Sequence, residues 1–291
     1  MYELRQAGAH TYYVDCPAKA GLYVQEDGAC ILIDSGGDSD AARKINRHIQ
    51  ENGWRLTAIL NTHSHADHDG GNGFFAQRTG CKIYAPGVEA AFVRHPILEP
   101  SVLYGGFAPK PLRNKFLCAQ PSIPEDALPE LPEGFALLPL PGHSFDMVGV
   151  RTPDDVVFLA DCVNSPAIIE KYHVNFLYDV GQYLATLDTV ERMEAKLFIP
   201  AHAEACTDIR PLVELNRNKV QEIITLLLSL CAVGRTQEEL LKLVFDQYTL
   251  RMDFTQYALV GSTLRSYLAY LFDEGKLEAV FEDNRLLWKT L

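Results

Sequence analysis

Thr62-His63-Ser64-His65-Ala66-Asp67-His68-Asp69-Gly70-Gly71 packs three histidines and two aspartates into ten residues, just after the apolar run Ala58-Ile59-Leu60. An apolar segment that empties into imidazoles and carboxylates reads as a strand delivering a ligand-bearing loop to one end of a sheet. His63 and His65 are two apart, so on an extended backbone their side chains project the same way and can reach one ion. Asp67 and His68 follow where the chain turns through Gly70-Gly71 into a helix expected around Gly73–Thr79. Neutral imidazole is the commonest nitrogen ligand and suits Zn²⁺, and a carboxylate beside it suits the same ion. A His/Asp set without thiolates fits a catalytic site with an open position better than a closed structural one.

Working outward, composition bounds the rest. A chain of 291 residues that is 47% hydrophobic and 22% charged is that of a folded globular protein with one large domain or two of ordinary size. A net charge of −12 and a pI near 5.2 argue against broad nucleic-acid or anionic-membrane binding, whose surfaces are normally basic. No apolar run approaches about 18 residues, and Met1-Tyr2-Glu3-Leu4-Arg5 lacks the layout of a signal peptide, so a cytoplasmic protein with no membrane partner is expected. Seven cysteines, odd in number, scattered and without a CxxC pair, imply neither a disulfide framework nor a thiolate zinc site.

Along the chain, Tyr12–Val14, Gly21–Val24 and Ala29–Ile33 read as an antiparallel meander that ends at Asp34-Ser35-Gly36-Gly37, and Ser39-Asp40 can cap a helix through Gln50. After the histidine loop come the strand Lys82–Tyr84 and a short helix, Val88–Arg94. From His95 to Gly134 eight prolines, Pro96 to Pro132, break any long element. So long an irregular connection is usually a lid or binding loop. It carries Tyr104, Phe107 and Phe116, and is expected to fold over the site and set substrate choice without supplying a ligand; His95 and Lys110 are candidate substrate contacts within it. Strands are expected at Phe135–Leu140, Asp155–Ala160 and Lys196–Ile199, with a helix at Tyr183–Glu194. Tyr172, His173 and Tyr178 lie in the connection that precedes that helix and are candidates to polarise a substrate. Beyond Ala205 helices are expected at Ile209–Leu230, Thr236–Gln247 and Thr255–Asp273, then a hairpin of Leu277–Phe281 and Arg285–Trp288.

His63-x-His65-x-Asp67-His68 resembles the signature loop of the metallo-β-lactamase superfamily, with metal-binding motifs of the glyoxalase II type. The resemblance implies an α/β fold, a four-layer αββα sandwich over residues 1–205. It implies a first metal on His63, His65 and His143 and a second on Asp67, His68 and His202. Asp161 bridges them, and Asp34 braces the loop from behind. His143 follows Pro141-Gly142, Asp161 ends the strand Asp155–Ala160, and His202 follows Pro200-Ala201. In one lactamase subclass a cysteine takes the bridging place, and Cys162 lies next door. Neighbouring strand residues face opposite sides, so only one can point at the metals; Asp161 fits the usual register and Cys162 is read as core.

The resemblance further implies two Zn²⁺, with Fe or Mn as other occupants, and a bridging hydroxide as nucleophile, oriented by Asp67. Metal-dependent hydrolysis of a small thioester or other acyl ester is the expected function. The alternatives are a metal-dependent nuclease acting on RNA, and a metal-holding sensor without turnover. Residues 206–291, three helices and a hairpin, resemble a winged-helix domain. Its third helix carries Arg265 as its one cation, which favours a packing or homodimerisation module over nucleic-acid docking. The expected partner is thus a small molecule.

Overall fold

The computed structural model describes residues 2–128 and 130–291; Pro129, one of the prolines of the irregular stretch, lies outside the described residues. The chain opens with an antiparallel meander of β1 (Glu3–Gln6), β2 (Thr11–Asp15), β3 (Ala20–Val24) and β4 (Ala29–Ile33). β5 (Arg55–Leu60) and β6 (Lys82–Tyr84) then add parallel to β4, completing a six-stranded sheet in sequence order. The parallel step is made by α1 (Ser39–Glu51), whose Ala42, Ile45 and Ile49 pack on the sheet's outer face with Phe75 of α3 (Asn72–Thr79). Asp38, one residue before the expected cap, caps α1 by accepting from the N–H groups of Asp40 and Ala41. Its side chain reaches the orphan donors of the first turn, which Ser39, already inside the helix, cannot.

The second sheet is β7 (Ala136–Pro139), β8 (Val148–Arg151), β9 (Val156–Asn164) and β10 (Leu197–His202), in the order β10-β9-β8-β7 with only β9 and β10 parallel. The two sheets face each other through Tyr13, Ile33, Val150, Phe158 and Ile199. Their approach is close enough that a Cβ at Gly21 would sit 2.6 Å from the Phe158 ring, so only glycine fits there. β9 carries apolar side chains on both faces because it is buried on both, which explains why Val156–Ala160 reads as a continuous apolar run.

The outer face of the second sheet is covered by α7 (Val180–Glu191) and α8 (Arg210–Leu230). α7 is capped by Asp179 and so begins three residues ahead of the expected start at Tyr183. The same apolar cluster continues from Val157 and Leu159 of β9 through Leu187, Val213 and Val220 to Leu240 of α9 (Gln237–Gln247) and Leu264 and Tyr267 of α10 (Phe254–Asp273). The boundary expected near residue 205 falls between β10 and α8, and this cluster crosses it. The closing hairpin pairs β11 (Leu277–Glu282) with β12 (Arg285–Thr290) across Asp283 and Asn284, both at positive φ. The layers are helix, sheet, sheet, helix, as expected. Among the described residues no helix is long and apolar enough to cross a membrane.

Four helical pieces lie near the ligand loop. α2 (Ala66–Asp69) is one turn of that loop, α4 (Glu89–Arg94) follows β6, and α5 (Leu98–Tyr104) interrupts the stretch expected to be irregular. α6 (Pro166–Tyr172) opens behind the Ser165 cap in the connection after β9.

Candidate metal centre

The carboxyl ends of β5, β9 and β10 and the turn between β7 and β8 meet at one edge of the two sheets. The loop after β5 supplies His63 and His65, and α2 supplies Asp67 and His68. The β7–β8 turn supplies His143, β9 supplies Asp161, and the end of β10 supplies His202. Gly70 and Gly71 let this loop press against the β4–α1 turn: a Cβ on Gly71 would lie 2.2 Å from Ser35 O.

The donor atoms fall into two groups. In the first, His65 Nδ1 lies 3.0 Å from His63 Nε2 and 2.9 Å from His143 Nε2, which is 3.4 Å from Asp161 Oδ2. In the second, Asp67 Oδ2 lies 3.3 Å from His202 Nε2 and 3.8 Å from His68 Nε2. Asp161 faces both, with Oδ2 3.2 Å from His202 Nε2 and Oδ1 3.0 Å from His68 Nε2. Nitrogen donors about 2.0–2.1 Å from a tetrahedral ion lie roughly 3.3 Å apart, so this spacing suits shared cations.

Behind the donors, a layer of fixed partners sets each ring. Asp34 accepts from Thr62 N at 2.7 Å and Thr62 Oγ1 at 2.8 Å, and its Oδ2 lies 2.8 Å from His68 Nδ1. With its proton given to Asp34, Thr62 Oγ1 accepts from His63 Nδ1 at 3.1 Å. His143 Nδ1 donates to Phe176 O at 3.1 Å and His202 Nδ1 to Pro17 O at 2.9 Å. In the neutral rings the outward N–H groups leave the inward nitrogens as bare lone pairs. Lone pairs facing one another at 3 Å repel, and a cation between them removes the repulsion. Consistent with this, His68 Nε2 and Asp161 Oδ1 are buried without a hydrogen-bond partner, close in distance but misaligned. The donor set therefore fits metal ions.

The protonation preferences divide the two groups: without a metal His63 and His143 are held neutral, whereas, against burial, the neighbouring carboxylates raise His68 and His202, whose inward protons a metal would displace. Burial, with His68 and His65 adding to it, pushes His63 well below the usual imidazole range, and burial brings His143 down to about 3, so both stay neutral. Burial opposes charge on Asp161, yet His202 and His68 hold its carboxyl well below the usual carboxylate range. For His202 burial is outweighed by Asp161 and Asp67, and the ring is pushed up to about 10. Ala160, at φ 48°, takes the left-handed strain that aims Asp161 at this cluster. Cys162 turns into the core, where burial pushes its thiol up to about 12.

The sequence profile of the metallo-beta-lactamase superfamily matches residues 14–202, a span that runs from β2 to β10 and takes in all seven donors. The chain belongs to this superfamily. Two curated relatives carry the name hydroxyacylglutathione hydrolase. One, from Thiobacillus denitrificans, is 33% identical over 44% of this chain and 40% of its own length. The other, from Rhodopseudomonas palustris, is 31% identical over 45% of each. The chain thus matches less than half the length of either relative. Among solved structures, a beta-lactamase domain protein from Burkholderia ambifaria superposes with a TM-score of 0.75 at 16% identity, covering 99% of this chain and 94% of its own. A metallo-beta-lactamase family protein from Thermus thermophilus gives 0.73 at 19% identity over 97% and 99%. These two share the fold.

A cavity of about 770 Å³ opens over the donors, with Asp67, His143, Asp161 and His202 in its floor. Lys115, Phe116 and Leu117 of the Pro-rich stretch form part of its wall, tied down by an ion pair between Lys115 Nζ and Asp38 Oδ2 at 3.1 Å. That stretch contributes none of the seven donors. Of its other aromatics, Tyr104 packs edge-on to Phe254 and Phe107 is 75% exposed. His95, at the C-terminal end of α4, and Lys110, beyond α5, are exposed and do not line the cavity. Tyr172 does line it; His173 stacks on Tyr248 instead, and Tyr178 packs on Phe145. Not foreseen were the contributions of α6 and α10, which add Ile168, Lys171, Leu259 and Val260 to the wall, and of two acids behind the donor loops, the buried Glu89 and the part-buried Glu99. The Ser165-Pro166 pair was a legible helix start; the acids carried no signal.

Proposed function

We propose that this protein is a dinuclear metal-dependent hydrolase, zinc by default, that cleaves a small thioester or related acyl ester. The observation that carries the reading is the convergence of seven donors in two groups that share Asp161 at the floor of one cavity. When bound, the ions supply Lewis acidity and bring the ionisation of water near neutral pH. His63, His65 and His143 would hold one, and Asp67, His68 and His202 the other.

The chain's own groups do the remainder. Asp67, half-exposed to the cavity, can accept a hydrogen bond from the attacking water and orient it. Phe116, Leu117, Val174 and Leu259 form apolar walls that exclude water and hold an acyl chain. Lys115 and Lys171 are the cations on that wall, enough for a small anionic group and too few for a phosphate backbone. The relatives' name denotes release of an acyl group from glutathione, which is cleavage of a thioester.

The test is turnover of a panel of acyl thioesters, lactones, a β-lactam and a short RNA by zinc-loaded protein. Thioesters are expected to lead by at least tenfold in kcat/KM, about 1.4 kcal/mol in transition-state stabilisation. RNA cleavage ahead of every ester would overturn the reading.

A further inference from the structure

Glu89 lies in the first turn of α4, contributes no donor atom to the cluster, and is fully buried with no cation paired to it among the described residues. Burying a carboxylate is costly unless its oxygens are saturated with hydrogen bonds. They are, and the partners come from the two loops that carry the first donor group. Oε2 accepts from Ser64 N at 3.1 Å and Ser64 Oγ at 2.5 Å, between His63 and His65. Oε1 accepts from Ser144 Oγ at 2.7 Å and Asp146 N at 3.0 Å, just past His143. Each oxygen thus holds one loop, and only a carboxylate offers two acceptor oxygens about 2.2 Å apart on one rigid plane.

A reciprocal contact fixes the clamp itself. Asp146 Oδ2 accepts from Val88 N at 2.7 Å, and Gly87, at φ +40°, leaves the room: a Cβ there would lie 2.0 Å from that oxygen. The start of α4 is therefore pinned to the His143 loop from both sides. The loops lie 25 and 55 residues from Glu89 in sequence and share no strand pairing at these positions. Beside the backbone bond from Val148 N to Thr62 O at 3.0 Å, Glu89 is the side chain that ties Ser64, between His63 and His65, to Ser144, next to His143.

We infer that Glu89 is a positioning residue that sets the spacing of the His63/His65/His143 group before a metal arrives. The inference rests on the metal reading above and goes beyond it in assigning a role to a residue outside the donor set. In Glu89→Gln the amide keeps one acceptor oxygen and turns an NH₂ toward a backbone N–H of the other loop, which cannot reverse its bond. One loop is released.

The experiment is a competition titration of metal-free protein with Co²⁺ against a chromophoric chelator, resolving two successive dissociation constants, with the cobalt absorption spectrum recorded alongside. Glu89→Gln should weaken one constant by about 10–100-fold, the range for groups that orient ligands, and leave the other within about threefold. The thermal midpoint of the metal-free variant controls for general damage. Ser64→Ala/Ser144→Ala, which keeps both backbone bonds, should weaken the same constant by a smaller factor, and it stands in if Glu89→Gln does not fold. Two unchanged constants, or equal weakening of both, overturn the inference while leaving the metal reading intact. Wild-type protein that binds no cobalt overturns both.

Discussion

At the scale of single residues, the site is organised by what each imidazole does with its outward nitrogen. Asp34 is the busiest of these partners, holding Thr62 by two bonds and His68 by one while itself at φ 59°. Asp34→Ala frees the His68 ring and, through Thr62, the His63 ring, so affinity for metal should fall about 10–100-fold with all donors still present. Equilibrium dialysis against a zinc buffer series reads this directly. The seven residues that converge were legible as candidates in the sequence because histidine and aspartate are dense in residues 63–68 and His143, Asp161 and His202 each stand at a strand's end or a tight turn in the family's order. Glu89 was not, since a single glutamate in a six-residue helix has the look of any solvated carboxylate. Its partners are brought to it only by the fold.

At the scale of elements, the sandwich is held at the end away from the donors by Asp154, in the turn between β8 and β9. Its Oδ2 accepts from His10 N at 2.7 Å and Thr11 Oγ1 at 2.7 Å, so it staples the second sheet to β2 of the first. Burial opposes its charge, but these donors from Thr11 and His10 lower its pKa below the ordinary carboxylate value. A depressed folded-state pKa gives stability that is fully present above the unfolded pKa, about 3.9, and lost as pH falls through the folded value. Asp154→Ala should cost about 0.5–1.5 kcal/mol at pH 7, the range for lost hydrogen bonds when Thr11 Oγ1 can still donate to Thr152 Oγ1 at 2.9 Å, and the gap from wild type should narrow below about pH 4. Urea melts at pH 7 and pH 3.5 test the sign. Most elements were readable from apolar alternation and caps, whereas β1 and β8 were not. Glu3-Leu4-Arg5-Gln6 is almost wholly polar, as an edge strand can be, and Val148-Gly149-Val150-Arg151 is short and interrupted by a glycine.

At the scale of the molecule, the two sheets place their strand ends at one edge, and the cavity there is walled by segments distant in sequence: the Pro-rich stretch, α6 and α10. Alternation and capping reveal elements but not which of them meet, so the contribution of α10 to the wall was out of reach before the fold was known. The shared apolar cluster gives that wall a firm support, because α10 is anchored through Leu264 and Tyr267 to the same core as β9, the strand that carries Asp161. Walls and floor are thereby held in register. The central claim is that this floor holds two ions joined by Asp161, and metal stoichiometry tests it most directly. Protein prepared without chelator and analysed by elemental mass spectrometry should carry close to two ions per chain, zinc or iron or manganese, and Asp161→Ala at most one. A chain that holds no metal as prepared and takes up none on added zinc, or an Asp161→Ala variant that still holds two, would contradict it.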